Sequence, residues 1–126
     1  MKPSLSPKLA PYLAVQDARG LIHFLEQGLG GKVTFEETAP DGRLAHVEVR
    51  IADGLVMLAD APAGRPPFPA MLHLYVDHAD AACARTIKFG ATSVRPPADS
   101  PDGNRRGGVR DKWGNEWWFS HVLKSH

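Results

Sequence analysis

The side chains best equipped for chemistry alternate along strand-like runs. In Arg43–Ile51, His46, Glu48 and Arg50 take every second position, and Ala45, Val47, Val49 and Ile51 fill the places between. In Ala70–Val76, His73 and Tyr75 alternate with Leu72, Leu74 and Val76. In Asn115–Val122, Glu116, Trp118 and Ser120 alternate with Trp117 and Phe119, and Tyr12 stands beside Leu13 in Leu9–Val15. A period of two puts such residues on one face of a strand. His46, Glu48 and His73 are the donor types of a facial-triad metal site. They are equally the types that make an acid–base pair for proton transfer. Tyr12, Tyr75 and Trp118 would form an aromatic wall for a planar or apolar ligand. Arg105, with Arg106 after the turn at Asp102-Gly103-Asn104, has the forked donors that hold a carboxylate or phosphate. The same pattern also fits a polar sheet face that meets only solvent, with Glu48 paired to Arg50 and Trp118 filling the core.

The elements that must position these residues occur twice. Leu9–Val15 reads as a strand, and Asp17 can cap a helix that runs to about Leu29, with Ala18, Leu21, Ile22, Leu25 and Leu29 on one face. Gly28, Gly30 and Gly31 end it. Strands over Lys32–Thr38 and Arg43–Ile51 flank a turn at Ala39-Pro40-Asp41-Gly42, and Leu55–Asp60 follows the turn at Asp53-Gly54. The stretch APAGRPPFP, residues 61–69, is an extended connector. The second copy reads as a strand over Ala70–Val76, then a helix capped by Asp77 and ending near Gly90. Its inner stripe is Ala79, Ala82, Cys83 and Ile87. A strand over Ala91–Pro96, a loop over Pro97–Asn104, and strands over Arg105–Asp111 and Asn115–Val122 complete it. Val15-Gln16-Asp17-Ala18 matches Val76-Asp77-His78-Ala79, and Gly54 matches Gly114. Each copy is strand, helix, strand, strand, strand, and neither alone is long enough for a robust core. The expected organisation is one domain over residues 9–122, built of units at about 9–60 and 70–122 joined by 61–69.

Composition narrows the function classes. With 15 basic and 14 acidic residues the net charge is +1, which gives no electrostatic reason to expect nucleic acid or an anionic membrane as partner. The single cysteine, Cys83, excludes an intramolecular disulfide and a multi-cysteine zinc site. No run approaches the roughly 20 apolar residues of a membrane span, and MKPSLSPKLAPYLAV lacks the apolar run of a secretory signal. A soluble cytoplasmic protein is expected. No Gly-rich phosphate loop or Ser-His-Asp order is present.

The tandem layout, with PYLAVQDA, PDGRLAHVEVRIADGLVMLAD, LHLYVDHADA and above all VRDKWGNEWWFSH, resembles the glyoxalase / bleomycin-resistance / extradiol-dioxygenase superfamily, also called vicinal oxygen chelate. The resemblance covers roughly residues 9–122. It implies an α+β fold of tandem βαβββ units, cupped mixed sheets around a ligand cavity, helices on the outer faces, and commonly a homodimer. It makes the cavity wall of Tyr12, His46, Glu48, Arg50, His73, Tyr75, Glu116, Trp118 and Ser120, with Arg105 near the rim. The family's metal ligands, carried over, fall on Ala10 and Leu58 in the first unit and Met71 and Trp118 in the second. None offers a hard oxygen or an imidazole. A shift of one residue either way does not restore the set. No metal and no cofactor are therefore expected. The reading is a small-molecule-binding protein holding an aromatic or amphipathic compound. The alternatives are a metal-dependent lyase, isomerase or dioxygenase using His46, Glu48 and His73, and a subunit whose cavity is filled by its own side chains.

Overall fold

The computed structural model describes residues 9–123. The chain divides after Pro69 into two compact units. Both are α+β, each a four-stranded mixed sheet with one helix.

The first unit comprises β1 (Tyr12–Val15), α1 (Ala18–Leu29), β2 (Lys32–Thr38), β3 (Leu44–Ile51) and β4 (Gly54–Asp60), in the sheet order β1-β4-β3-β2. β1 runs parallel to β4, and the other pairs are antiparallel. Asp17 adopts a left-handed conformation, φ 66°, and its carboxylate accepts the Gly20 N–H at 3.1 Å. Gly30, also left-handed, closes the helix, and the Gly31 N–H bonds back to the Leu25 carbonyl. Leu21, Ile22, Phe24 and Leu25 of α1 are buried, as are Leu13, Val15, Val47, Val49, Ile51 and Leu58 of the sheet. The strand period thus sends those six residues to the apolar side. Ala45 departs from it. The pairing of β2 with β3 slips between Glu37 and Thr38, and Leu44 is buried where Ala45 was expected. A bulge moves one residue across the pleat, and this reversed the local parity.

The second unit comprises β5 (Met71–Tyr75), α2 (Ala79–Lys88), β6 (Thr92–Asp99), β7 (Asn104–Arg110) and β8 (Glu116–Val122), in the order β5-β8-β7-β6. β6 carries Pro96 and Pro97 inside a strand that was expected to stop at Pro96. It is an edge strand, and its register skips between Arg95 and Ala98, so the missing donors cost no ladder bond. Trp117, Phe119 and Val109 are buried. Gly107 and Gly108 serve opposite faces of β7. A Cβ on Gly107 would meet the Cys83 sulfur at 2.8 Å, and one on Gly108 would meet the Trp118 indole at 2.7 Å. The paired glycines let Cys83 approach one side of the strand while an indole lies against the other.

Two expectations for α2 change. Asp77 is not its cap. The first residue beyond the helix is His78, which makes no capping side-chain bond. The Ala79 N–H is instead accepted by His121 Nδ1 at 2.8 Å, from the end of β8. Ile87 is 43% exposed, and Thr86 is fully buried in its place, its hydroxyl donating to the Ala82 and Cys83 carbonyls. The first unit uses the same device. Asp60 at the end of β4 accepts the Ala18 N–H at 2.7 Å. In both units, therefore, the last strand caps the helix. No helix among the described residues is long and apolar enough to cross a membrane.

Candidate functional site

Each sheet has one face against its helix and an opposite, open face that the helix of its own unit does not cover. On the open face of the first sheet, Tyr12 is the cross-strand neighbour of Met57, Met57 of Glu48, and Glu48 of Phe35. Glu48 is 1% exposed in that row. A buried carboxylate needs a donor, and His46, two residues along the same face, supplies Nε2 at 2.9 Å from Oε2. The Tyr12 hydroxyl lies 3.3 Å from the other ring nitrogen, Nδ1, within hydrogen-bond reach. Tyr12, His46 and Glu48 thus form one hydrogen-bonded chain from the exposed tyrosine to the buried carboxylate. Arg50 stands on the same face, opposite Leu55 and Lys32.

At the Tyr12 end of this face the proline-rich connector folds back along β1. The Ala61 N–H bonds the Val15 carbonyl, and Phe68 bridges Ala14. Between connector and sheet lies a cleft of about 470 Å³, lined by Tyr12, Ala14, Arg43, Ala45, Asp60, Arg65 and Phe68 among others. That volume lies in the range of small-molecule pockets. Phe68 is 74% exposed at its edge. Arg43, Arg65 and Phe68 were not anticipated. The one signal in the sequence was an arginine and a phenylalanine set among prolines, which read only as a connector.

On the open face of the second sheet, His73 pairs with Trp118, Tyr75 with Ser120, and Met71 with Glu116. Glu116 braces the row. One oxygen takes Arg110 at 2.7 Å and the other takes the Trp118 Nε1–H at 3.1 Å. These bonds, Arg110 first, hold its carboxyl below the usual range. Arg106 belongs to this face, donating to Ser120 Oγ and Asp102. Arg105 does not. Its register partner is His121, and its guanidinium grips Asp80 of α2 through two bonds, at 2.6 and 2.9 Å, with Asp99 on the third nitrogen. Alternation across β7 sends these two neighbouring arginines to opposite sides, so Arg105 is committed to the helix.

Burial, then the positive charge of Arg106, lowers the His73 pKa from its ordinary 6.5. A histidine depressed in the folded state binds fewer protons there than in the unfolded chain. Stability should therefore fall as pH drops below about 6.5, through the lowered folded value. His73→Gln should flatten that part of the acid limb in urea midpoints measured between pH 8 and pH 5.

The positions that family resemblance assigns to a metal do not fit one. Register makes Trp118 the counterpart of Met57, since each faces the first strand of its unit at the same level. Leu58, the counterpart expected from spacing after glycine, is fully buried on the helix side. The spacing misled because the β3–β4 hairpin closes at Ile51 and Gly54, whereas that of β7–β8 closes at Arg110 and Glu116. Met57, Met71 and Trp118 supply no hard donor. Among the described residues no three His, Cys, Asp or Glu side chains converge as a metal would require. His46 and Glu48 bond each other, and His73 stands on the other unit's sheet.

The DKWGNEWW segment has a structural role. Asp111, 5% exposed, accepts the backbone N–H groups of Trp113 and Asn115 and the Trp117 indole N–H, each at 2.9 Å, as well as the Asn115 side-chain amide. Asn115 in turn accepts the Ala70 N–H at 3.0 Å. One carboxylate so fixes the β7–β8 turn, and through Asn115 the start of β5.

Comparison with known proteins agrees with this architecture. A family profile described as Glyoxalase/Bleomycin resistance protein/Dioxygenase superfamily matches residues 8–119. The uncharacterized protein Mb0911c of Mycobacterium bovis is 32% identical over 96% of this chain and 87% of its own length. TioX from Micromonospora sp. ML1 shares the fold with a TM-score of 0.73 at 24% identity, over 94% of this chain and 98% of that one. TnmS3, described as an antibiotic binding protein from Streptomyces sp. CB03234, has the same TM-score and identity, over 95% of this chain and 98% of its own. The chain belongs to the glyoxalase / bleomycin-resistance / dioxygenase superfamily.

Proposed function

We propose that this protein is a small-molecule-binding member of its superfamily that holds an aromatic or amphipathic compound and works without the usual metal. The observation that carries the reading is the cleft of about 470 Å³ on the open face of the first sheet, walled by Tyr12 and edged by the exposed Phe68. Leaving a phenylalanine in water forgoes roughly 1.5–3 kcal/mol of burial, which a flat ligand recovers. The antibiotic-binding role of TnmS3, a protein of the same fold, is consistent with it. The apolar side chains at the expected metal positions point the same way. In this reading the two units act as one domain, in a cytoplasmic homodimer. The exposed Met71, Tyr75 and Val122 of the second unit offer apolar surface for dimerisation.

Thermal unfolding with a panel of flat aromatic and amphipathic compounds tests the proposal. At least one should raise Tm saturably, by an amount set by its concentration relative to Kd. Phe68→Ala should weaken that compound about tenfold or more, the scale of a lost aromatic contact. A panel without a single saturable shift would overturn the reading.

A further inference from the structure

We propose that the cleft of the first unit selects an aromatic monocarboxylate, with Arg65 binding the carboxylate and Tyr12 and Phe68 flanking the ring. The proposal rests on the binding reading above and adds a charge to its ligand. Arg65 lines the cleft, and its guanidinium makes no ion pair with the described residues. Its backbone N–H is tied to the Pro62 carbonyl in a turn of the connector, which fixes the base of the side chain. A planar fork of donors beside aromatic walls is suited to a flat acid.

The remaining charges decide between a monoanion and a dianion. Arg43 also lines the cleft, but it stands 3.7 Å from Asp41 and donates to the Asp60 carbonyl at 3.5 Å. Asp60 is the acidic lining residue. Each of its oxygens already accepts a backbone N–H, from Ala18 at 2.7 Å and Leu44 at 2.8 Å, and the first lies at the positive end of α1. Its charge is turned into the protein, so it opposes an incoming anion weakly. Arg43 is held beside Asp41, which leaves the single guanidinium charge of Arg65 for an incoming anion. That matches one carboxylate and is too little for a doubly charged phosphate ester. Tyr12 brings an aromatic ring and no charge, its hydroxyl within hydrogen-bond reach of His46. A carboxylate finds its opposite charge at Arg65, so the acid group belongs there and the ring at Tyr12.

Titration calorimetry of the full chain with 2-naphthoate, the isosteric 2-naphthamide and 2-naphthyl phosphate tests this. The carboxylate should bind about tenfold tighter than the amide, the discrimination expected of a charge-assisted pair, and the preference should shrink with added salt. Arg65→Gln, on the surface and without a side-chain ion pair among the described residues, should abolish the preference while amide binding persists, and Arg65→Lys should restore part of it. Equal affinity for acid and amide, a preference unchanged in Arg65→Gln, or tighter binding of the phosphate would each overturn the proposal and leave the binding reading standing. Absence of binding by all three, together with an empty thermal-shift panel, would remove both.

Discussion

Asp111→Ala should lower the unfolding free energy by about 3–5 kcal/mol, the scale of removing one partner from a buried charged network. The carboxylate serves two backbone N–H groups, an indole N–H and an amide, and two of the residues it bonds, Asn115 and Trp117, are themselves buried. Alanine satisfies none of these donors. Asp111→Asn should fall between alanine and wild type, because it keeps one acceptor oxygen and turns an NH₂ toward a donor. Asp53, an exposed turn residue of the first unit, is the control. Asp53→Ala should stay within about 0.5 kcal/mol of wild type, as surface substitutions do. Urea unfolding followed by tryptophan fluorescence reads all three. A loss below about 1 kcal/mol for Asp111→Ala would mean that the turn holds without its hub.

Asp60→Ala should lower stability by about 2–4 kcal/mol, from two backbone donors left without a partner. The bonds are short, 2.7 Å to Ala18 and 2.8 Å to Leu44, and they pin the start of α1 and the start of β3 to the end of β4. Asp17 continues to serve Gly20, so the helix loses one cap and not both. Asp60→Asn, able to present an oxygen to only one of the two N–H groups, should lose about half as much. In the second unit His121 caps α2 through one bond, at Ala79, and His78 makes no capping side-chain bond. His121→Ala should therefore cost less, about 0.5–2 kcal/mol, the range of a single capping bond. Equal losses at Asp60 and His121 would show that the Leu44 bond contributes nothing.

Much of the fold was legible because its cause is local. A strand's alternation is set by the pleat, so Leu13, Val15, Val47, Val49, Trp117 and Phe119 reached the apolar side, and Tyr12, His46, Glu48, His73, Tyr75, Glu116, Trp118 and Ser120 took the other face. Alternation fails where a strand slips, as at Ala45, and where a turn length changes, as between the hairpins preceding Met57 and Trp118. Neither is written in hydrophobic period. Arg105 was placed by its nearness to a turn, and its side was fixed only by pairing with His121.

The sequence by itself determined the tandem βαβββ units, the superfamily, and the apolar residues at the positions where its metal ligands would stand. Those follow from period, turn chemistry and motif, each carried by neighbours in the chain. Tertiary structure alone decided what the polar residues do. It drew Asp60 and His121 onto helix starts 42 residues away, made the Asp111 carboxylate a hub, chained Tyr12 to Glu48 through His46, and laid the connector along β1 to form the cleft. A hydrogen-bond partner distant in sequence is chosen by which backbone groups the packing leaves unsatisfied, and that is known only once the chain has closed on itself.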